Sequence, residues 1–108
     1  MVKREVLEIA NNYLNYLWQN NYKFETAYLF GSQAKGNYEK DSDFDLAIVF
    51  ENLPDRFSMQ IQLLMLTTKF DTRLEPHPFD KNDFTQNNPI VAEILKYGIK
   101  INKKKLKQ

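Results

Sequence analysis

The sequence predicts a single domain of the α+β class, or mixed α/β, in which helices and strands alternate irregularly. Its 108 residues suit one domain and are enough to bury a core. Along the chain, apolar residues at helical spacing alternate with short apolar runs of strand length. The resulting order of helix, strand, strand, helix, strand and helix is typical of this class.

The first predicted element is a helix with one apolar face. That face comprises Val6, Ile9, Ala10, Tyr13, Leu14 and Leu17. We expect the helix to end near Asn20. An aromatic-rich apolar run at residues 27–30 then predicts a buried strand that stops at Gly31. A second strand is predicted at residues 44–50, where alternation places Asp45 on one face with an alanine and a valine.

A second helix and a third strand are predicted in the middle of the chain. Pro54 and Asp55 are typical of a helix start. One stripe of this helix is expected to face the core, and it comprises Phe57, Ile61, Leu64 and Met65. The third strand is expected at residues 72–77, closed by Pro76 and Pro78, because proline fits a strand only at its end or on a sheet edge.

A third helix is predicted near the C-terminus. Asn88 suits its cap, a proline follows in the first turn, and Gly98 lies just past its end. Residues 99–101 are expected to add a short strand. We assign residues 1–101 to the domain and residues 102–108 to a basic, frayed tail.

Composition and charge exclude several classes of protein. No stretch approaches the roughly 18 apolar residues of a membrane span, and the start resembles no signal peptide, so a cytoplasmic protein without membrane contact is expected. The absence of cysteine excludes disulfides, thiolate zinc sites and thiol nucleophiles. Five of the 15 basic residues follow residue 99, which leaves ten against 14 acidic residues before it. Direct nucleic-acid binding is therefore not expected.

Gly31 and Ser32, directly after a predicted buried strand, are candidates for binding a phosphate group. A glycine lets backbone N–H groups approach phosphate oxygens closely, and the serine hydroxyl can donate to the same oxygens. Taken alone, however, the pair is explained as readily by an ordinary strand-to-helix turn with serine as the cap.

Asp43 and Asp45 are candidate metal ligands at the start of the second strand. Their spacing places both carboxylates on one face, with Cα atoms about 6–7 Å apart. Two like charges beside buried apolar residues are costly without a cation, and Mg²⁺ prefers carboxylate and phosphate oxygens. Two solvent-facing acids are the alternative, but the apolar run at residues 46–50 favours an interior strand and hence a cation.

Glu75 is the candidate third carboxylate, on the same strand face as Arg73 and His77. It could complete a two-metal site or accept the proton of an attacking hydroxyl. A salt bridge to Arg73 is the alternative, and Asp71 is the second candidate for the role. His77, the single histidine, could lie beside a metal or orient Glu75, but its place between two prolines favours a simple strand-end residue.

A joint motif resembles a known family: Gly31-Ser32, ten intervening residues, then Asp43-Phe44-Asp45-Leu46. This is similar to the signature of the DNA polymerase β-like nucleotidyltransferase superfamily. The chain's small size resembles the minimal nucleotidyltransferase (MNT) group, over roughly residues 25–101. The resemblance implies a palm-like domain with a small mixed sheet flanked by helices.

The resemblance also implies the contents of the site. Two Mg²⁺ ions would be held by Asp43, Asp45 and Glu75. In this set, Glu75 matches the third acid of the family. ATP, the expected substrate, would be contacted by Gly31, Ser32 and Lys35. The sequence departs from the family in having Glu instead of the more usual Asp, and in the prolines where an apolar strand would continue.

As the antitoxin of a type VII-like toxin–antitoxin pair, an MNT protein would move AMP from ATP to a tyrosine of its partner, a HEPN-type RNase toxin. Because the chain has no residues left for an acceptor-binding domain, we expect a second chain or a homodimer to complete the acceptor site. Nucleotidylation of a small molecule such as an aminoglycoside, and a purely binding antitoxin, stay open. The aromatic first helix (Tyr13, Tyr16, Trp18) is a candidate contact surface, although core packing explains it equally well.

Overall fold

The structure, a computed structural model, describes residues 4–31 and 43–101; the basic tail at residues 102–108 lies outside the described residues. In chain order the elements are α1 (Arg4–Gln19), β1 (Thr26–Phe30), β2 (Phe44–Phe50), α2 (Arg56–Leu66), β3 (Leu74–Asp80), α3 (Pro89–Tyr97) and β4 (Ile99–Ile101). Single turns of 3₁₀-helix follow α2 and β3. The predicted α+β class and order of elements are confirmed.

The four strands form one mixed sheet in the order β3-β2-β1-β4. β2 and β3 run parallel, with α2 as the crossover between them, whereas β1 pairs antiparallel with both β2 and β4. In this register Asp45 of β2 lies between two partners, Phe30 at the end of β1 and Glu75 near the start of β3. The sheet thus brings three distant segments together at one end.

Helices pack on both faces of the sheet. Leu46 and Ile48 of β2 face a core shared with α1 and α2, whereas Ala47 and Val49 face a smaller core shared with α3. This alternation confirms the predicted faces of β2 and explains why nearly the whole strand is apolar, since both of its faces are covered. Asp45 lies on the same face as Ala47 and Val49, near the start of the strand, and is only partly buried.

The helix ends follow their predicted signals. The Asp55 carboxylate accepts a hydrogen bond from the Ser58 N–H at 3.0 Å, and the Asn88 side chain accepts one from the Ile90 N–H at 2.9 Å. Gly98 follows the last residue of α3, as predicted. Within the described part of the chain, no helix combines the length and hydropathy that crossing a bilayer requires.

The predicted orientation of α2 is wrong. The stripe expected in the core is exposed instead, to 75% at Phe57, 45% at Ile61, 50% at Leu64 and 69% at Met65. Leu63 is the buried residue of the helix, with Met59 and Leu66 packed partly against the core. Because α2 is apolar nearly all round, two sets of residues satisfy the helical spacing, and periodicity alone does not choose between them.

The predicted limits of the third strand are also wrong. β3 runs from Leu74 to Asp80 and includes both prolines, which were expected to close it. It is an edge strand, and the Phe44 N–H donates to the Arg73 carbonyl at 2.7 Å. Since alternate residues bond to the same neighbour in a parallel ladder, the nitrogens of Pro76 and Pro78 point to the open edge, where no donor is needed.

The aromatic residues of α1 serve mainly as core. Tyr13 is fully buried, its hydroxyl donates to the Leu63 carbonyl at 2.6 Å, and burial raises its pKa. Tyr16 packs edge-on against Phe70, and Trp18 packs in the same manner against Phe24. Core packing is therefore the better explanation of this helix face.

Candidate active site

The candidate site lies where β1 ends and where the parallel strands β2 and β3 begin. Asp45 and Glu75 are register partners on adjacent strands, and His77 is in register with Ala47. Because side chains alternate along a strand, Asp45, Glu75 and His77 all belong to the face that α3 covers farther along the sheet. The sheet register therefore gathers two carboxylates and an imidazole at one end of this face.

Gly31 forms the wall of the site beside Asp45. Its φ of +81° lies in the left-handed region, which favours glycine. A Cβ atom at this position would also meet Asp45 Oδ2 at 2.6 Å, which is closer than atoms can approach without a shift. Gly31 is thus required both by its backbone and by the neighbouring carboxylate. Ser32 and Lys35, the other predicted nucleotide contacts, lie outside the described residues.

Asp45, Glu75 and His77 form a compact cluster of possible ligands. His77 Nε2 lies 3.1 Å from Asp45 Oδ1 and 3.9 Å from Glu75 Oε1. One ligand atom from each residue lies within 4.8 Å of the other two. The three side chains are partly exposed, so the cluster is open to a ligand from solvent.

Asp43, directly before β2, adds a further carboxyl group to this cluster. Its side chain is hydrogen-bonded to Glu75, and this bond is the first cause that raises the pKa of Glu75. Burial and the charge of Asp45 raise that pKa further, whereas the charge of His77 lowers it. Glu75 therefore lies among groups that disfavour its ionised form, which a bound cation would reverse.

Asp71, the alternative third acid, has a cation of its own. Both of its carboxylate oxygens accept hydrogen bonds from the Arg73 guanidinium, at 3.0 and 2.7 Å. The hydrogen bonds with Arg73 hold the pKa of Asp71 below its usual value. Arg73 also lies 4.0 Å from Glu5 and packs over the Phe44 ring. This geometry favours Glu75 as the third carboxylate of the site.

The residues present fit a divalent cation. Carboxylate oxygens are the ligands that Mg²⁺ prefers, and an imidazole nitrogen is a common ligand of transition metals. One ligand atom from each of Asp45, Glu75 and His77 lies within 4.8 Å of the other two, which is close enough for all three to bind one ion. Asp45, Glu75 and His77 are the residues positioned to hold the ion, with Asp43 beside them.

His77 is the site residue that sequence reasoning placed wrongly. It lies in the middle of β3 and not at a strand end, and its imidazole faces Asp45. The two prolines led to the wrong prediction because they suggested that the strand stops there. The predicted shared face of Glu75 and His77 is confirmed, because residues two positions apart lie on the same face of a strand.

Comparisons with known proteins complete these observations. The family model described as "Polymerase beta, Nucleotidyltransferase" matches residues 12–107. A Methanocaldococcus jannaschii protein with the provisional name of protein adenylyltransferase is 27% identical over 82 residues, which cover 73% of this chain and 80% of that protein.

Solved structures with a similar fold include a protein of Sulfolobus solfataricus, provisionally named a nucleotidyltransferase. Its TM-score is 0.58 and its identity 21%, over 73% of this chain and 70% of that one. A toxin–antitoxin structure with AMP-PNP gives a TM-score of 0.62 and 18% identity, over 89% of this chain and 77% of the other. The MntA-HepT toxin–antitoxin structure gives a TM-score of 0.56 and 18% identity, over 86% of this chain and 69% of the other. These likenesses support the fold.

Proposed function

The chain belongs to the polymerase β nucleotidyltransferase family, and from this premise we propose that it transfers AMP from ATP to a protein hydroxyl group. The observation that carries the proposal is the convergence of Asp45 and Glu75 in register beside the Gly31 turn. A nucleotidyl transfer needs carboxylates that can hold divalent cations and a backbone that phosphate can approach closely, and the two carboxylates beside Gly31 support the proposal.

The proposed reaction is a substitution at the α-phosphorus of ATP. The acceptor oxygen forms a bond to that phosphorus, the bond to the bridging oxygen of the β-phosphate breaks, and pyrophosphate leaves. The hydroxyl proton passes to a base, and Glu75 is the candidate because its carboxylate lies in register with Asp45 and is partly exposed to solvent. In the alternative role Glu75 ligates the cation.

Each site residue has a proposed part in this reaction. Asp43 and Asp45 would hold the cations, with Glu75 as a ligand or as the base, and Gly31 and Ser32 would contact the β- and γ-phosphates. Lys35 contacts the nucleotide. When bound, two Mg²⁺ ions supply charge neutralisation for the triphosphate and acidify the acceptor hydroxyl. The chain's residues contribute position and charge, since the reaction needs little covalent chemistry from the protein.

The acceptor we propose is a tyrosine of a HEPN-type toxin, which this protein silences as its antitoxin. Three findings support it. The relative from Methanocaldococcus jannaschii carries the name of a protein adenylyltransferase. Toxin–antitoxin complexes share the fold, and one was solved as a variant with two aspartates, two positions apart, changed to glutamate. The exposed apolar stripe of α2 is also typical of a surface that contacts a protein.

The test uses ATP labelled at the α-phosphate, divalent cation, purified protein and an extract of its host as the source of acceptor. The Asp43→Asn, Asp45→Asn double variant runs beside the wild type, and Asp71→Asn serves as a matched control outside the site. We expect one labelled protein band with the wild type and the control, and none with the double variant. Label in small molecules alone would indicate a small acceptor such as an aminoglycoside. If none of the three proteins, including the wild type, transfers label, the result would indicate an antitoxin that acts by binding alone.

A further inference from the structure

His77 lies where a metal ligand would be, and not at the strand end where it was expected. Its Nε2 atom lies 3.1 Å from Asp45 Oδ1 and 3.9 Å from Glu75 Oε1. The three donors are close enough together to share one ion. Two carboxylates and one imidazole form a different ligand set from carboxylates alone, and that difference has chemical consequences.

We propose that His77 Nε2 is a ligand of the divalent cation held by Asp45 and Glu75, and that the site therefore prefers Mn²⁺ to Mg²⁺. Mg²⁺ prefers oxygen donors and keeps much of its water, whereas imidazole nitrogen favours transition metals. The inference deepens the proposed function, because it concerns the cation of the same site. It requires neither ATP nor an identified acceptor.

A stiff backbone and one ring contact restrain the imidazole in this position. The prolines on either side of His77 fix their own φ angles and stiffen the edge strand. The ring packs against Phe30, with centroids 5.3 Å apart. The register partner of His77 is Ala47, which has a small side chain. A ligand held in this way loses little conformational entropy when a metal binds.

Asp45 lies between the imidazole of His77 and Gly31. Its Oδ1 atom lies 3.1 Å from His77 Nε2, and its Oδ2 atom lies in space that a Cβ atom at residue 31 would need. The arrangement allows a second role, in which Nε2–H only donates a hydrogen bond to Asp45 and orients it. The two roles differ in one observable: a ligating nitrogen is bonded to the metal, whereas an orienting one is not.

A single histidine and no cysteine make this difference directly measurable. Tag-free protein carrying ¹⁵N-labelled histidine is mixed with Mn²⁺ and examined by pulsed electron paramagnetic resonance. We expect a directly coordinated imidazole nitrogen, shifted in frequency by the label, and the signal can come only from His77. Bound Mn²⁺ without that coupling, or no bound Mn²⁺, would overturn the proposal. This experiment uses the wild-type chain, so it does not depend on a variant that folds.

Metal affinities provide the second measurement. In His77→Gln we expect Mn²⁺ affinity to fall by about tenfold to hundredfold, Mg²⁺ affinity to fall less, and the preference for Mn²⁺ to be lost. Asp71→Asn is the control and should bind both ions as the wild type does. Equal losses for the two ions would overturn the proposal. Because AMP transfer with Mg²⁺ is measured separately, nitrogen coupling without transfer contradicts only the proposed function, and transfer without coupling contradicts only the role of His77.

Discussion

Two carboxylates near the start of β3 lie four positions apart and have opposite surroundings. Asp71 lies in the turn before the strand, and its carboxylate accepts hydrogen bonds from the Nε and Nη2 atoms of Arg73. Glu75 lies within the strand and is hydrogen-bonded to Asp43, with Asp45 close by. The pKa of Asp71 is consequently lowered, whereas that of Glu75 is raised.

The difference separates structure from function. A carboxylate with its own guanidinium is neutralised inside the fold and needs nothing from solvent. A carboxylate grouped with other acids costs stability until a cation arrives from outside. We therefore expect Asp71 to stabilise the fold and the acids grouped around Glu75 to weaken it, and the second region is where we place the chemistry.

The largest expected effect is the loss of transfer in Asp45→Asn. We expect the rate of AMP transfer to fall by at least about a thousandfold, since the amide keeps the shape but binds a cation poorly. Labelled-ATP assays measure the rate. Stability at neutral pH should not fall, because a like charge is removed from the cluster. A rate within tenfold of the wild type would contradict the assignment of Asp45.

The second effect is that of Gly31→Ala. The new methyl would meet Asp45 Oδ2 at 2.6 Å and would sit on a backbone with φ of +81°. We expect about 1–2 kcal/mol of destabilisation from the backbone conformation, and a clear loss of transfer because Asp45 must move. Chemical denaturation and the transfer assay measure the two effects. An unchanged rate would show that the wall at Gly31 does not position Asp45.

The third effect is on stability and not on transfer, the reverse of the first. Asp71→Asn should lower the free energy of unfolding by about 1 kcal/mol, since it breaks a partly buried pair with Arg73, and should leave transfer unchanged. Denaturant titration at neutral pH checks it. Because the folded pKa of Asp71 is lowered, its stabilising contribution is present above the unfolded value near 3.8 and is lost as pH falls through the folded value. A loss of transfer in Asp71→Asn would contradict the placement of Asp71 outside the site.

The smallest effect is the pH dependence that Glu75 adds. Its folded pKa is raised above the ordinary 4.5, so the folded protein holds this proton to higher pH than the unfolded chain does. Stability should therefore fall as pH rises from the unfolded pKa through the folded one. In Glu75→Gln this falling component should disappear from unfolding curves recorded without cation. If the Glu75→Gln protein still loses stability over this pH range, Glu75 is not the cause of the pH dependence.

The sequence alone was sufficient to predict the parts of the fold that depend on local signals. The limits of β2, the cap of α3 and the last strand follow from strict alternation and from single capping residues. The pair of acids at the start of β2 was identified because charge directly before a buried strand is unusual. These features need no knowledge of the partner element.

Other features depend on tertiary contacts and could not be read in the same way. The buried face of α2 is decided by which side meets the core, because Leu63 and Leu64 satisfy the helical pattern equally well. The course of β3 depends on its place at the sheet edge, where Pro76 and Pro78 lose no hydrogen bond. The approach of His77 to Asp45 requires the parallel register of β2 and β3.

The measurement that tests the central claim most directly is thermal unfolding of the wild type, Asp71→Asn and Glu75→Gln, each with and without Mn²⁺. Without cation, we predict that Asp71→Asn is less stable than the wild type and Glu75→Gln more stable. With Mn²⁺ at about a hundred times its dissociation constant, the wild type and Asp71→Asn should gain about 2.7 kcal/mol, and Glu75→Gln much less. A Glu75→Gln protein that is destabilised without cation, and that responds to Mn²⁺ as the wild type does, would contradict the account.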